Sequence, residues 1–119
     1  MRTAAEGREI ADAIGYPVII KAAAGGGGRG MTVVHAPGDF ADAFASTRAV
    51  ARAVFRDPTV YVERYAPRAR HVEVQVLCDQ HGAGIHLGER DCSLQRRHQK
   101  LLEEGPAGHL SAGQRAELG

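Results

Sequence analysis

Two apolar runs flank a glycine-rich segment in Val18-Ile19-Ile20-Lys21-Ala22-Ala23-Ala24-Gly25-Gly26-Gly27-Gly28-Arg29-Gly30-Met31-Thr32-Val33-Val34. Each run is short and rich in β-branched residues, so each is predicted to be a strand. The glycines include the spacing GxGxxG, but a dinucleotide site needs a helix to begin at the third glycine, and here a strand follows. A P-loop needs Gly-Lys-Ser/Thr at its end, whereas Gly30 precedes Met31. Residues 18–34 are therefore predicted to form a glycine hairpin that joins two strands.

The composition of this hairpin favours phosphate binding. Consecutive glycines let backbone N–H groups approach an anion where side chains would block them. Lys21, at the end of the first strand, would place a positive charge beside the same anion. The alternative is a mobile surface hairpin with an ordinary lysine, but four consecutive glycines are costly to order without a ligand.

The flanking sequence completes a β–loop–β–α–β unit by residue 65. Residues 4–14 are predicted to be a helix that ends at Gly15-Tyr16-Pro17, because the residue before a proline disfavours helix. Apolar residues at helical spacing predict a second helix of roughly 16 residues, with Asp39 at or near its N-cap. Thr59 to Tyr65 is predicted to be the third strand.

A change of composition at Ala66-Pro67 predicts a second domain. From Arg70 to Cys78 polar and apolar residues alternate, which predicts a half-buried strand with valines 72, 74 and 76 on one face. Residues 85–88 are predicted to pair back as a hairpin, and residues 105–119 to be a loop and the start of a helix. The predicted fold class is α/β (α+β), with domains at residues 1–65 and 66–119.

The segment from Gly88 to Lys100 contains four cations, two anions and a histidine. It is open to three interpretations. It could be a solvated face, or a nucleic-acid patch, although interleaved aromatic residues are missing. It could also be a polar strand that lines a cleft, in which His98 and Lys100 point to one face if the backbone is extended. Composition does not choose among the three.

The remaining composition excludes several classes of protein. A formal net charge of +1 gives no global field for nucleic acid or an anionic membrane. Cys78 and Cys92 have no CxxC spacing and are predicted to be reduced thiols, and the six histidines show no metal-binding spacing. No apolar run approaches the ~20 residues that span a bilayer, and charged residues near Met1 exclude a signal peptide. A cytoplasmic protein is expected.

Three blocks of the sequence carry a family resemblance. They are Gly15-Tyr16-Pro17-Val18-Ile19-Ile20-Lys21 with the glycines that follow, Val60-Tyr61-Val62-Glu63-Arg64-Tyr65 with Arg70-His71-Val72-Glu73-Val74-Gln75-Val76, and Glu89-Arg90-Asp91-Cys92-Ser93-Leu94-Gln95-Arg96-Arg97-His98-Gln99-Lys100. All three resemble the biotin carboxylases of the ATP-grasp superfamily. The resemblance covers about residues 8–107. It implies an ATP-grasp lid subdomain in residues 1–65 and the incomplete start of the larger ATP-grasp subdomain, with its first antiparallel strands, in residues 66–119.

The resemblance also implies a function. Biotin carboxylases are ATP-dependent ligases that use MgATP and bicarbonate to carboxylate biotin on a carrier protein. This is the first half-reaction of acyl-CoA or pyruvate carboxylation, and in acetyl-CoA carboxylase it serves fatty-acid biosynthesis. The expected partners are the biotin carboxyl carrier protein, a carboxyltransferase and, for a complete enzyme, a second copy in a homodimer. Neither nucleic acid nor a membrane is expected as a partner.

Family roles are carried over to matching residues only. The implied ATP-binding residues are Lys21, Gly27, Gly28, Glu63, Arg64, Tyr65, Ala66, His71, Gln95 and His98. Lys21 would contact the phosphates, Gly27 and Gly28 would form the tip of the lid, and residues 63–66 would be the hinge that meets adenine. Lys100 would bind bicarbonate and is the implied catalytic residue, paired with His98 on one face.

The sequence departs from the family pattern in three places. Ala23-Ala24 stands where many members have Ser-Gly, Ala66 replaces a larger apolar residue of the hinge, and Gly105 stands where alanine is usual. The Mg²⁺ ligands of the family are expected outside this sequence, so no metal ligand is assigned here and the isolated chain is expected to be inactive. The alternatives are a non-catalytic adenine-nucleotide-binding module and an inactive truncated remnant.

Overall fold

The computed structural model describes residues 1–118 and divides the chain into two compact units. The first unit is Met1–Pro67, and the second begins at Arg68. The mixture of helices with two small antiparallel sheets confirms the predicted fold class. None of the helices that the structure describes has the length and apolar character needed to cross a membrane.

The first unit is a three-stranded antiparallel sheet packed against two helices. Its elements are α1 (Ala4–Ile14), β1 (Val18–Ala22), β2 (Met31–Val34), a 3₁₀ turn (Pro37–Asp39), α2 (Phe40–Phe55) and β3 (Val60–Arg64). β1 lies between β2 and β3. The predicted helices and strands are confirmed, because each carries its own local signals.

Local chemistry explains the helix boundaries of this unit. Thr3 caps α1 by accepting a hydrogen bond from the backbone N–H of Glu6 at 3.2 Å, and Gly15 ends the helix at φ 84°. Asp39 stands at the N-cap of α2 as predicted, but it makes no side-chain capping bond because the 3₁₀ turn precedes the helix there.

The core of the first unit lies on one face of its sheet. Alternate residues of β1 point to this face, where they pack with both helices; the buried cluster is Ala11, Val18, Ile20, Ala22, Val34, Phe40, Phe44, Ala51 and Val60. Because the side chains of a strand alternate, Ile19 and Lys21 point to the opposite face. That face carries the first part of the site described below.

The second unit is a separate antiparallel sheet in the order β4-β5-β6. Its elements are β4 (Val72–Cys78), β5 (Gly84–Arg96), β6 (Gln99–Glu104) and the short helix α3 (Ala112–Leu118). The predicted strand over residues 85–88 is much too short, because β5 continues through the charged segment to Arg96. Ser111 and Gln114 form a reciprocal capping box at the start of α3, which confirms a helix start in residues 105–119.

The valine face predicted for β4 is only partly correct. Val72 and Val74 are half-buried, but Val76 is 56% exposed. The register shifts between Val74 and Val76, where two steps along β4 are matched by three along β5, from Glu89 to His86, so the extra residue lies in β5. Other large apolar side chains of the sheet are also exposed, namely Leu77, Ile85, Leu87, Leu94, Leu101 and Leu102.

Candidate functional site

The glycine hairpin turns through two residues with left-handed backbone. Gly27 and Gly28 have φ values of 61° and 78°, and the backbone N–H of Arg29 donates to the carbonyl oxygen of Gly26 at 3.3 Å. Positive φ at both central residues is the type I′ pattern of a tight hairpin. The predicted hairpin and its tip are confirmed, whereas phosphate contact by Gly27 and Gly28 stays a prediction.

The glycines at the base of the loop serve the fold. A Cβ atom on Gly25 would lie 3.0 Å from the carbonyl oxygen of Ala22. A Cβ atom on Gly30 would lie 3.0 Å from the ring of Phe55, and Gly30 also has φ 68°. Gly26 has neither constraint, because a Cβ atom there meets nothing within 4 Å and its φ is outside the left-handed region. The packing within this unit therefore leaves room for a side chain at Gly26.

Lys21 and Glu63 form an ion pair beside the hairpin. Their strands are neighbours in the sheet, and Lys21 Nζ lies 2.6 Å from Glu63 Oε2. The two side chains are 29% and 44% exposed, so the pair is accessible from solvent. The sequence assigned Lys21 and Glu63 to the nucleotide site through separate blocks, and the structure brings them into direct contact.

Of the other predicted hinge residues, Arg64 ends β3, and Tyr65 and Ala66 follow the strand. The side chain of Arg64 donates to the carbonyl oxygen of Ile14, and the backbone N–H of Tyr65 donates to the carbonyl oxygen of Pro17 at 3.0 Å. The backbone N–H of Tyr65 is therefore engaged within the unit. Ala66 is exposed.

In the second unit a network of charged side chains centres on Glu73. Its Oε1 accepts a hydrogen bond from Arg90 Nη2, and its Oε2 accepts one from Lys100 Nζ. His71 Nε2 lies 3.5 Å from the same Oε2. The bond from Lys100 lowers the pKa of Glu73 against the opposing effect of burial, and the same bond raises the pKa of Lys100. Both pKa shifts favour the charged forms of the two groups.

Gln95 links two of the predicted residues in this network. Its Nε2 lies 3.2 Å from His71 Nδ1, and it is paired with Lys100 in the register of β5 and β6. The structure thus brings together His71, Gln95 and Lys100, which the resemblance assigned to nucleotide and to bicarbonate. Glu73 and Arg90 were not assigned a role from the sequence, although the alternation that places His71, Glu73 and Gln75 on one polar face was a signal for Glu73.

His98 does not occupy the expected position. Arg97 and His98 have φ values of 52° and 63°, so they form the tight turn between β5 and β6. The premise that His98 and Lys100 share one face of an extended strand is therefore wrong. Ligand binding by His98 stays a prediction.

Residues on the other face of β5 hold the segment that follows β6. Glu89 Oε1 accepts hydrogen bonds from the backbone N–H of Ala107 and from Arg115 Nε. Asp91 Oδ2 accepts one from Arg70 Nη1 at 2.9 Å and lies 3.2 Å from His109 Nδ1. The charged segment is therefore a strand with two polar faces, which confirms the extended interpretation as far as Arg96.

Among residues 1–118, one group of side chains has the proximity of metal ligands. The ligand atoms of Glu73, Cys92 and Glu103 lie within 4.8 Å of one another. The group does not suit Mg²⁺, which prefers octahedral oxygen ligands, because a thiol is one of its three members. Both carboxylates are also bound to Arg90. The expectation that the Mg²⁺ ligands lie outside this sequence stays a prediction.

Comparisons with known proteins cover nearly the whole chain. A biotin carboxylase of Allochromatium vinosum is 56% identical over 111 residues, which are 93% of this chain and 25% of that protein. The crystal structure of a biotin carboxylase–βγ-ATP complex from Campylobacter jejuni matches with a TM-score of 0.93 and 52% identity, over 98% of this chain and 26% of that one.

A second solved structure is the biotin carboxylase domain dimer of Hydrogenobacter thermophilus 2-oxoglutarate carboxylase, in complex with MgADP, ADP and bicarbonate. It matches with a TM-score of 0.91 and 41% identity, over 98% of this chain and 26% of that one. These likenesses confirm the resemblance to biotin carboxylases, and the chain spans about a quarter of their length. The model of the family described as "Carbamoyl-phosphate synthase L chain, ATP binding domain" matches residues 1–119, and the chain therefore belongs to that family.

Proposed function

We propose that this chain is the ATP-binding portion of a biotin carboxylase, an ATP-dependent ligase. The observation that carries the proposal is the glycine hairpin with Lys21 at its base, in a unit that resembles a biotin carboxylase crystallised with a nucleotide. Backbone N–H groups at the exposed tip and the ammonium of Lys21 supply donors for phosphate oxygens. Residues 63–66 would meet the adenine edge through backbone groups.

The second unit supplies groups suited to a small anion. Lys100 donates to Glu73 through one of its three N–H donors, and that contact raises the pKa of Lys100. We assign bicarbonate to Lys100, and the ribose and phosphate side of ATP to His71, Gln95 and His98. The bicarbonate complex of the Hydrogenobacter thermophilus domain supports this class of ligand.

The proposed reaction belongs to the complete carboxylase. When bound, Mg²⁺ would neutralise the charge on the transferring phosphoryl group. This chain's own residues would bind and orient ATP and bicarbonate, and the product would be carboxylated biotin on a carrier protein. A carboxyltransferase and a second copy of the enzyme are the further proposed partners. Fatty-acid biosynthesis through acetyl-CoA carboxylase is the proposed pathway, and the cytoplasmic location stays a prediction.

For the isolated chain we propose nucleotide binding without turnover. Paired calorimetric titrations of ATP into the Lys21→Ala and Lys100→Ala variants test the assignment. Lys21→Ala should weaken ATP binding by about 1–3 kcal/mol, or roughly 5- to 150-fold, because it removes hydrogen bonds to a charged ligand. Lys100→Ala should leave ATP binding nearly unchanged but abolish bicarbonate-dependent ATP cleavage in a complete carboxylase that carries this sequence.

The control is Arg8→Ala, which removes an exposed cation of α1 that pairs with Asp12 and lies outside the proposed site. It should leave ATP binding unchanged. Equal losses for Lys21→Ala and Lys100→Ala, or a larger loss for Lys100→Ala, would show that the two lysines are wrongly assigned. A remnant that does not bind nucleotide would give no ATP signal with the unmodified chain.

A further inference from the structure

The Lys21–Glu63 ion pair lies on the sheet face that points away from the core. The register pairs Ile19 with Glu63 and Lys21 with Tyr61, so both charged residues project from neighbouring strands to one side. Val62, the residue before Glu63, packs against the buried cluster on the other side. The contact therefore joins two rigid strands across 42 positions of the sequence.

We propose that the Glu63 carboxylate is a positioning residue that fixes the Lys21 ammonium at the base of the glycine hairpin for contact with nucleotide phosphates. This inference rests on the proposed function, since it requires Lys21 to bind phosphate. It concerns the Glu63 side chain, whereas the resemblance assigns the hinge a backbone contact with adenine. The two roles can therefore be separated by experiment.

The physical reason is preorganisation. A lysine has a flexible four-carbon stem, and ordering it during binding costs conformational entropy. A carboxylate that already holds one N–H of the ammonium lowers this cost and leaves two donors for the ligand. Glu63 can do this because it lies in β3, whose position is fixed by its ladder to β1 and by the contact of Arg64 with Ile14.

The test is a cycle of Glu63→Gln, Lys21→Met and the double variant, measured by calorimetry on the whole chain with ATP and with adenosine. Glu63→Gln should weaken ATP binding roughly 2- to 5-fold, the range for a partly exposed ion pair. Adenosine binding should not change, because adenosine has no phosphate. In the Lys21→Met background, Glu63→Gln should have no effect on ATP.

The other possible outcomes would refute either the proposed function or the positioning role of Glu63. Unchanged ATP affinity in Lys21→Met would refute the proposed function, and this inference with it. If Lys21→Met weakens ATP binding but Glu63→Gln leaves it unchanged or makes it tighter, only the positioning role is refuted. Tighter binding by Glu63→Gln would mean that the carboxylate competes with phosphate for Lys21. An equal loss for adenosine would show that Glu63 acts on the base.

Two further variants separate positioning from folding. Asp12→Asn removes the carboxylate of the Arg8–Asp12 pair in the same unit and should leave ATP binding unchanged. Glu63→Asp keeps the charge but shortens the side chain by one methylene, so it should weaken ATP binding while the circular dichroism and thermal midpoint stay those of the unmodified chain. ATP binding by Glu63→Asp equal to that of the unmodified chain would contradict positioning even where Glu63→Gln fails to fold.

Discussion

Replacing Gly30 by alanine should destabilise the first unit, while the same replacement at Gly26 should not. At Gly30 the new methyl group would lie 3.0 Å from both the Phe55 ring and the Ala22 Cβ, and the backbone has φ 68°. Left-handed backbone costs an L-residue about 1–2 kcal/mol, and overpacking adds about 1–3 kcal/mol. Because the Phe55 ring can shift, we expect the lower part of the sum, about 2–3 kcal/mol.

Gly26→Ala is the matched control because it adds the same methyl group to the same loop. The methyl group would meet nothing within 4 Å, and the φ of Gly26 lies outside the left-handed region. The substitution restricts the unfolded chain, so the first unit should be unchanged or up to about 1 kcal/mol more stable. Gly26→Ala should nevertheless weaken ATP binding, because a side chain would stand where the hairpin closes over the phosphates.

Urea unfolding followed by far-ultraviolet circular dichroism measures both variants, because α1 and α2 belong to the first unit. The helical signal should be lost at a lower urea concentration in Gly30→Ala only. Equal destabilisation by the two substitutions would refute the distinction between Gly30, which the packing constrains, and Gly26, which it does not. Destabilisation by Gly26→Ala alone would show that the loop packs differently from the described conformation.

Two further predictions concern the second unit. The hydrogen bond from the Ser93 hydroxyl lowers the pKa of Asp91 from 3.8 to about 2. The ionised Asp91 carboxylate therefore stabilises the folded second unit above pH 4, and this stabilisation is lost as the pH falls toward 2. In an acid titration the free energy of unfolding should depend less steeply on pH in Asp91→Asn than in the unmodified chain. An unchanged slope would contradict this prediction. Iodoacetamide should modify exposed Cys78 before Cys92, because Cys92 is buried and burial raises the pKa of its thiol. Equal rates before denaturation would contradict this order.

Local signals in the sequence were sufficient for the first unit. Pro17 and Gly15 determine where α1 ends, and the β-branched run at residues 31–34 gives β2 with the boundaries predicted for it. The length of β5 was missed because both faces of this strand carry charged residues, which removes the alternation between apolar and polar residues. The turn at Arg97 and His98 was missed because neither residue is the glycine or asparagine that such turns favour.

Contacts between strands were the part of the site that the sequence could not show. The pair of Lys21 with Glu63 depends on β1 lying beside β3, and the pair of Glu73 with Lys100 depends on the order β4-β5-β6. Sheet order is a tertiary property, and alternation within one strand does not encode it. The sequence therefore predicted candidate site residues but not the ion pairs that they form with one another and with Glu73.

The two units hold their candidate residues by different forces. Lys21 and the glycine hairpin extend from a sheet whose other face is packed against two helices, so burial of apolar surface fixes the backbone that carries them, while the Lys21 ammonium pairs with Glu63. In the second unit Lys100 is held by half-exposed ion pairs, which contribute about 0–1 kcal/mol each, while large apolar side chains such as Leu87 and Leu101 remain exposed. The geometry around Lys100 is consequently less strongly fixed by its own unit than the geometry around Lys21. This difference is an independent reason to expect that nucleotide affinity in the isolated chain depends on Lys21.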